Sequence, residues 1–118
     1  MNCLCRDASM KTIRLDTTSI TDWDSFHAQF ATLMGFPGFY GCNMDAWIDC
    51  MSHLTNPDEG LAEINLEKGE ALVIQVSNSS DFRKRLPEIF DALVRCTAFV
   101  NERYVTHKES SVVALAFL

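Results

Sequence analysis

Asp45 and Asp49 stand four residues apart in the run Asn43-Met44-Asp45-Ala46-Trp47-Ile48-Asp49-Cys50-Met51. On a helix that spacing points both carboxylates off one face, and Ser52 and Asn56 extend the same polar stripe. Like charges so placed repel by roughly 0.2–0.5 kcal/mol. The helix dipole relieves Asp45, in the first turn, more than Asp49 near the middle. No Lys or Arg lies within one turn of either along the chain. Two carboxylates can serve as a general acid and base, but glycoside chemistry needs a substrate cleft between them, and adjacent turns of one open helix face supply none. They can instead make a fixed anionic contact for a cation-lined pocket on another molecule. An ordinary solvated helix face fits the same spacing.

Other reactive residues form weaker patterns. Cys50 and His53 are three apart and could pair as thiol and imidazole, yet no third residue stands ready to orient the histidine. Cys3 and Cys5, with His27 or His107, lack the second cysteine pair that zinc spacing demands. The expectation is therefore no catalytic residue, no metal and no cofactor. The five cysteines, Cys3, Cys5, Cys42, Cys50 and Cys96, have irregular spacing. They read as free thiols, most of them buried, in a reducing compartment.

The elements that must hold these residues can be read from hydrophobic period and caps. Lys11–Asp16 alternates and predicts a short strand. Thr21, with Asp24 three residues on, reads as the cap of an amphipathic helix carrying Trp23, Phe26, His27, Phe30, Leu33 and Met34 and ended by Gly35. The stretch 36–41 has too much Pro and Gly for a helix and too many aromatic rings for a solvated linker. Asn43 caps the acidic helix, whose apolar face is Met44, Trp47, Ile48, Met51 and Leu54, until Asn56-Pro57 stops it. Residues 58–70 read as irregular, with one helical turn near 61–64.

Ala71–Val76 is a β-branched run expected as a buried parallel strand. Ser77–Ser80 supply caps, Pro87 opens the main helix with Ile89, Phe90, Leu93, Val94 and Val100 inward, and that helix should end near Arg103. Val112–Phe117 closes the chain as a strand. Strands alternating with helices imply an α/β fold: a three-stranded, mainly parallel sheet packed with helices, expected in three layers.

At 118 residues, 47% of them hydrophobic, the chain is sized for one domain. It is read as a single unit over 1–118, with 1–10 a flexible tail. No apolar run suits a membrane helix, and the first residues lack the apolar core of a secretory signal, so a cytoplasmic location is expected. Net charge is −6, and the segment 37–70 holds seven of the sixteen acids against one of the ten bases, so all the net charge sits there. Such a balance disfavours nucleic acid and anionic membrane as partners.

The run Phe36-Pro37-Gly38-Phe39-Tyr40-Gly41-Cys42-Asn43-Met44-Asp45-Ala46-Trp47-Ile48-Asp49-Cys50-Met51 closely resembles the signature of the barstar family, intracellular inhibitors of ribonucleases. That signature runs proline, two aromatics, glycine, any residue, asparagine, leucine, aspartate, alanine, two apolar positions, aspartate, cysteine, leucine. Most of the chain follows the family order; the N-terminal residues and 55–70 look additional.

The resemblance implies a barstar-like fold whose acidic helix plugs the active site of a basic ribonuclease or ribonuclease toxin. It implies that Asp49 occupies the phosphate-binding subsite and that Asp45 is the second acidic contact. Phe39 takes the place of a tyrosine that packs on the enzyme's catalytic histidine, and Tyr40 is its more buried neighbour. Asn43, Met44, Ser52, His53 and Leu54 fall at rim positions. Phe39 lacks the tyrosine hydroxyl, Leu54 is not aromatic, and no acid of the last helix matches one that the best-known member supplies. A related module with a partner other than a ribonuclease stays open.

Overall fold

The structure, a computed structural model, describes residues 10–110 and 112–118. Cys3 and Cys5, set aside as metal ligands on their spacing, lie outside the described residues. Met10, assigned to the tail by sequence, opens the first strand. The elements are β1 (Met10–Leu15), α1 (Trp23–Met34), α2 (Met44–Met51), β2 (Ala71–Val76), α3 (Ser79–Arg85), α4 (Pro87–Thr106) and β3 (Val113–Phe117). Short 3-10 turns at Thr17–Ser19 and Pro57–Glu59 join them.

The sheet has the order β1-β2-β3 and is wholly parallel, with Ile13 beside Ile74 and Ile74 beside Leu115. Burial alternates along it. Ile13, Leu15, Leu72, Ile74, Val76 and Val113 are buried, whereas Thr12, Arg14 and Ala114 are exposed. The helices therefore cover one face, giving two layers rather than three. Successive right-handed crossovers that step the same way across a sheet deliver both sets of helices to the same side.

Local chemistry explains most boundaries, and corrects some. The cap of α1 is Asp22, not Thr21. Its carboxylate accepts from the Ser25 amide at 2.8 Å, and the Ser25 hydroxyl accepts from the Asp22 amide at 3.1 Å. Both Thr and Asp cap well, so backbone position decides between adjacent candidates. Gly35 ends α1 at φ +67, where a Cβ would lie 2.5 Å from the Cβ of Glu63. Only glycine suits both the left-handed turn and that close approach.

No helical turn forms at 61–64. The one 3-10 turn in this stretch sits at Pro57–Glu59, and the chain beyond it docks on the core: the Glu63 amide donates to Met34 O at 2.9 Å and the Leu66 amide to Leu54 O at 2.8 Å. Leu61, Ala62 and Ile64 pack beside the core there.

Helix α4 runs three residues past Arg103, to Thr106. Its inner face is Ile89, Leu93, Thr97, Val100 and Tyr104, a period of 3.6 that leaves Val94 exposed and Phe90 half-buried against Phe117. Trp23 is likewise partly exposed on α1. Of the described cysteines only Cys50 is buried, Cys96 being half-buried and Cys42 exposed. Among the described residues no helix is long and apolar enough to cross a membrane.

Candidate functional site

The loop between α1 and α2 is pinned by its rings, as its composition predicts. Phe36 is buried, and the Tyr40 ring lies 4.7 Å from it, centroid to centroid. Tyr40 Oη meets His27 Nδ1 at 2.6 Å. Burial lowers the His27 pKa against the opposing field of Asp24, and burial raises that of Tyr40, so both are neutral and share one hydrogen. His27 is thus a packed core histidine holding the loop. With Tyr40 tied inward, Phe39 faces outward and is 78% exposed.

Cys42 takes a left-handed turn at φ +52, which sets Asn43 to cap α2, its Oδ1 accepting from the Ala46 amide at 2.8 Å. Trp47 anchors the helix from beneath, fully buried and edge-on to Phe30 at 5.6 Å. The other end is clamped by Tyr104 of α4, whose hydroxyl donates to Met51 O at 2.7 Å and accepts from the Leu54 amide at 2.9 Å. Burial pushes this phenol up to about 12. A short helix fixed at its cap, its inner face and its end presents its outer face with little freedom.

On that outer face Asp45 and Asp49 are both exposed. The sequence offers Asp49 no cation within a turn, but the fold does: Arg103 Nη1 lies 3.5 Å from Asp49 Oδ1 and 3.4 Å from Ser52 Oγ. The Asp49 side chain remains 66% exposed and the contact is single and long, so the pair stabilises by no more than about 1 kcal/mol. The Arg103 guanidinium also lies over the Phe99 ring at 5.8 Å. Asp45 forms no ion pair among the described residues; its charge raises the Cys96 pKa in addition to the larger effect of burial.

Seven of the eight residues singled out by sequence divide among three depressions, and Asp45 lines none of them. Phe39, Tyr40, Asp49 and His53 line one groove of about 400 Å³ with Gly41, Ala46, Cys50 and Leu61. Asn43 and Met44 border a smaller hollow of about 240 Å³ with Trp23, His27 and Cys42. Ser52 and His53 open onto a cleft beside Arg103 and His107. Two residues of this surface, Arg103 and Leu61, were missed by sequence. Nothing along the chain places either beside α2, although the Phe99–Arg103 spacing marks one exposed stripe of α4.

The surroundings of Cys50 work against a nucleophilic thiol. Burial first, and the Asp49 charge second, push its thiol up to about 11, and the His53 Nδ1–H instead donates to Asp49 O at 2.7 Å. No cluster of three or more metal-ligating side chains occurs among the described residues.

No curated protein matches the chain. The family model described as Barstar (barnase inhibitor) matches residues 10–116, nearly the whole chain. With the wholly parallel sheet, the capped acidic helix and the ring-pinned loop, this places the chain in the barstar family.

Proposed function

We propose that the protein inhibits a ribonuclease, by one-to-one occlusion of the enzyme's active site with the loop at 36–43 and the outer face of α2. A ribonuclease holds a polyanion, so its catalytic cleft is lined with cations. A carboxylate already fixed in place takes the position of an RNA phosphate and forms charge-assisted hydrogen bonds once water is excluded. Asp49 is the phosphate mimic and Asp45 the supporting contact; Phe39 packs beside them, while Tyr40, Asn43, Met44, Ser52 and His53 shape and border the contact. Inhibition requires no catalysis, cofactor or metal from the inhibitor. The acid-rich 37–70 segment draws a basic ribonuclease or ribonuclease toxin toward this face. Such a role fits an immunity protein acting in the cytoplasm.

The observation that carries this is the exposed Asp49 on a helix fixed at both ends, in a chain whose family is described as barnase inhibitors. Capture from the native organism's lysate and secretions tests it, with wild type beside Asp49→Ala. A captured ribonuclease, silenced by wild type and released by the variant, supports the mechanism. Capture of a protein without nuclease activity, or equal binding by the variant, overturns it.

One observation favours a second reading, a barstar-like interaction module with a partner other than a ribonuclease. Where the best-known member supplies an acid from its last helix, α4 here brings Arg103 to Asp49.

A further inference from the structure

We infer that the outer edge of β3 is a second docking site, which takes an extended peptide segment of a partner as a fourth strand and holds an apolar side chain and a carboxylate of that segment beside Arg83. This surface shares no residue with the face of α2 and does not depend on what that face binds.

β3 is the last strand of the sheet. Its inner groups are fixed by the ladder: the Leu72 amide donates to Val112 O at 2.7 Å and the Leu118 amide to Val76 O at 3.0 Å. Amide and carbonyl change sides with each residue of a strand, so Val113, Leu115 and Phe117 turn theirs to the outer edge, as their register opposite Leu72, Ile74 and Val76 requires. Val113 shows what that edge accepts. The Asn101 side-chain amide accepts from the Val113 N–H at 2.9 Å and donates to the Val113 carbonyl at 2.8 Å, the two bonds that an antiparallel neighbour makes with one residue. Among the described residues no side chain bonds to the edge in this way at Leu115 or Phe117.

The opposite edge of the sheet is defended. Lys11 and Arg14 of β1 are exposed, and Lys11 Nζ donates to Asn65 O at 2.6 Å, so charge and a neighbouring segment oppose strand addition there. β3, Val-Ala-Leu-Ala-Phe, carries no charge.

The groove of about 520 Å³ that meets the end of β3 selects the side chains of the added strand. Phe117, 50% exposed, lines it with its ring 5.5 Å from that of Phe90, and Val94 adds a further apolar group. The Arg83 guanidinium lies over the same Phe90 ring at 5.7 Å. Arg83 is the one charged residue of the lining and enters none of the ion pairs among the described residues. An apolar floor beside an unpaired cation complements an apolar side chain accompanied by an acid. A second copy of this chain meets the backbone requirement but not the charge, because its β3 has no acid and it brings another Arg83. Main-chain groups of the edge bind the backbone of the guest, and the groove supplies specificity.

The test uses the protein alone and a capped, threonine-rich heptapeptide whose third and fifth residues, on one face of a strand, are phenylalanine and glutamate. Binding should slow hydrogen exchange at the Leu115 and Phe117 amides and shift the ring signals of Phe90 and Phe117. Methylating the peptide's edge-facing amide nitrogens should weaken binding at least about fivefold, the net worth of one neutral hydrogen bond. Lysine in place of the glutamate should weaken it at least about twofold, the size of an exposed ion pair. Arg83 is exposed, so Arg83→Gln leaves the core intact, and it should remove the preference for glutamate. Ring shifts without slowed exchange at Leu115 and Phe117 would show a filled groove and no added strand, which overturns the proposal. Equal binding by the methylated or the lysine peptide, no shift at millimolar peptide, or sedimentation of the protein alone as a dimer would overturn it as well.

Discussion

Arg103 of α4 reaches Asp49 of α2 across 54 residues of sequence, Nη1 to Oδ1 at 3.5 Å. The exposed carboxylate near the middle of α2 therefore carries its own cation. Replacing Arg103 with Gln should change unfolding free energy in denaturant by less than about 1 kcal/mol, as for other exposed ion pairs. Against a basic partner the same variant should associate faster at low salt, because it is more negative by one charge and Asp49 is unscreened. The gain should vanish as salt approaches about 1 M, where the screening length falls to about 3 Å. Stopped-flow association across a salt series checks both statements; a slower variant at low salt would show that Arg103 serves the contact rather than screening it.

Asp49→Ala should weaken partner binding by about 2–5 kcal/mol, the range for truncating one member of a buried interfacial charge pair, to which the barnase–barstar complex itself contributes. Asp45→Ala should cost less, since no part of the Phe39–Leu61 groove is built from it. The difference should lie mainly in dissociation, whereas added salt should act mainly on association. Equilibrium and kinetic binding to the captured partner measures the ordering, and Asp45→Ala costing more than Asp49→Ala would reverse the assigned roles.

Tyr104→Phe removes the hydroxyl that joins Met51 O and the Leu54 amide. Both backbone groups are buried beneath α4, so the loss should cost about 1–3 kcal/mol of stability. The Leu54 amide should also lose its protection from hydrogen exchange relative to the global unfolding rate. Urea unfolding with native-state exchange resolves the two; a variant as stable as wild type would mean that the end of α2 is held by packing alone.

His27 makes stability depend on pH in a defined direction. Its folded pKa lies below the ordinary 6.5, because burial outweighs the field of Asp24. Below 6.5 the unfolded chain takes up a proton that the folded chain resists, so this histidine withdraws stability as pH falls from 6.5 toward its folded value. Asp16 and Asp22 act separately and at lower pH. Hydrogen bonds from Thr18 and Ser19 lower Asp16, and those from Ser25 lower Asp22, so their contribution is present above 3.8 and lost as pH falls through their folded values. Urea unfolding at pH 7 and pH 5.5 should show wild type losing stability and His27→Asn losing less. Equal losses in the two proteins would detach the effect from His27.

Much of the site can be read from residues close in sequence. The Asn43 cap, the apolar face of α2 and the rings at 36–40 depend on neighbours within a turn or two, so composition and period reveal them. Even so, adjacent candidates can be degenerate: Thr21 and Asp22 are both good caps, and only the extended backbone at Asp22, with Ser25 returning the bond, separates them. Val94 shows the same limit on α4, where one step off a 3.6-residue period turns an apolar side chain outward.

By itself the sequence determined the cap and start of the acidic helix, the order of the three strands, and the 36–51 signature, because each rests on local hydrogen bonding and hydrophobic period; it ran that helix on to Asn56, where the structure ends it at Met51, and did not separate α3 from α4. Tertiary structure alone decided that one sheet face is covered, that Tyr104 clamps the end of α2, that Arg103 shares Asp49, and that Leu61 lines the same groove as Phe39. Those relationships join residues on separate elements, and which side chains meet depends on how the helices settle on the sheet, a property of packed volumes that no local pattern encodes.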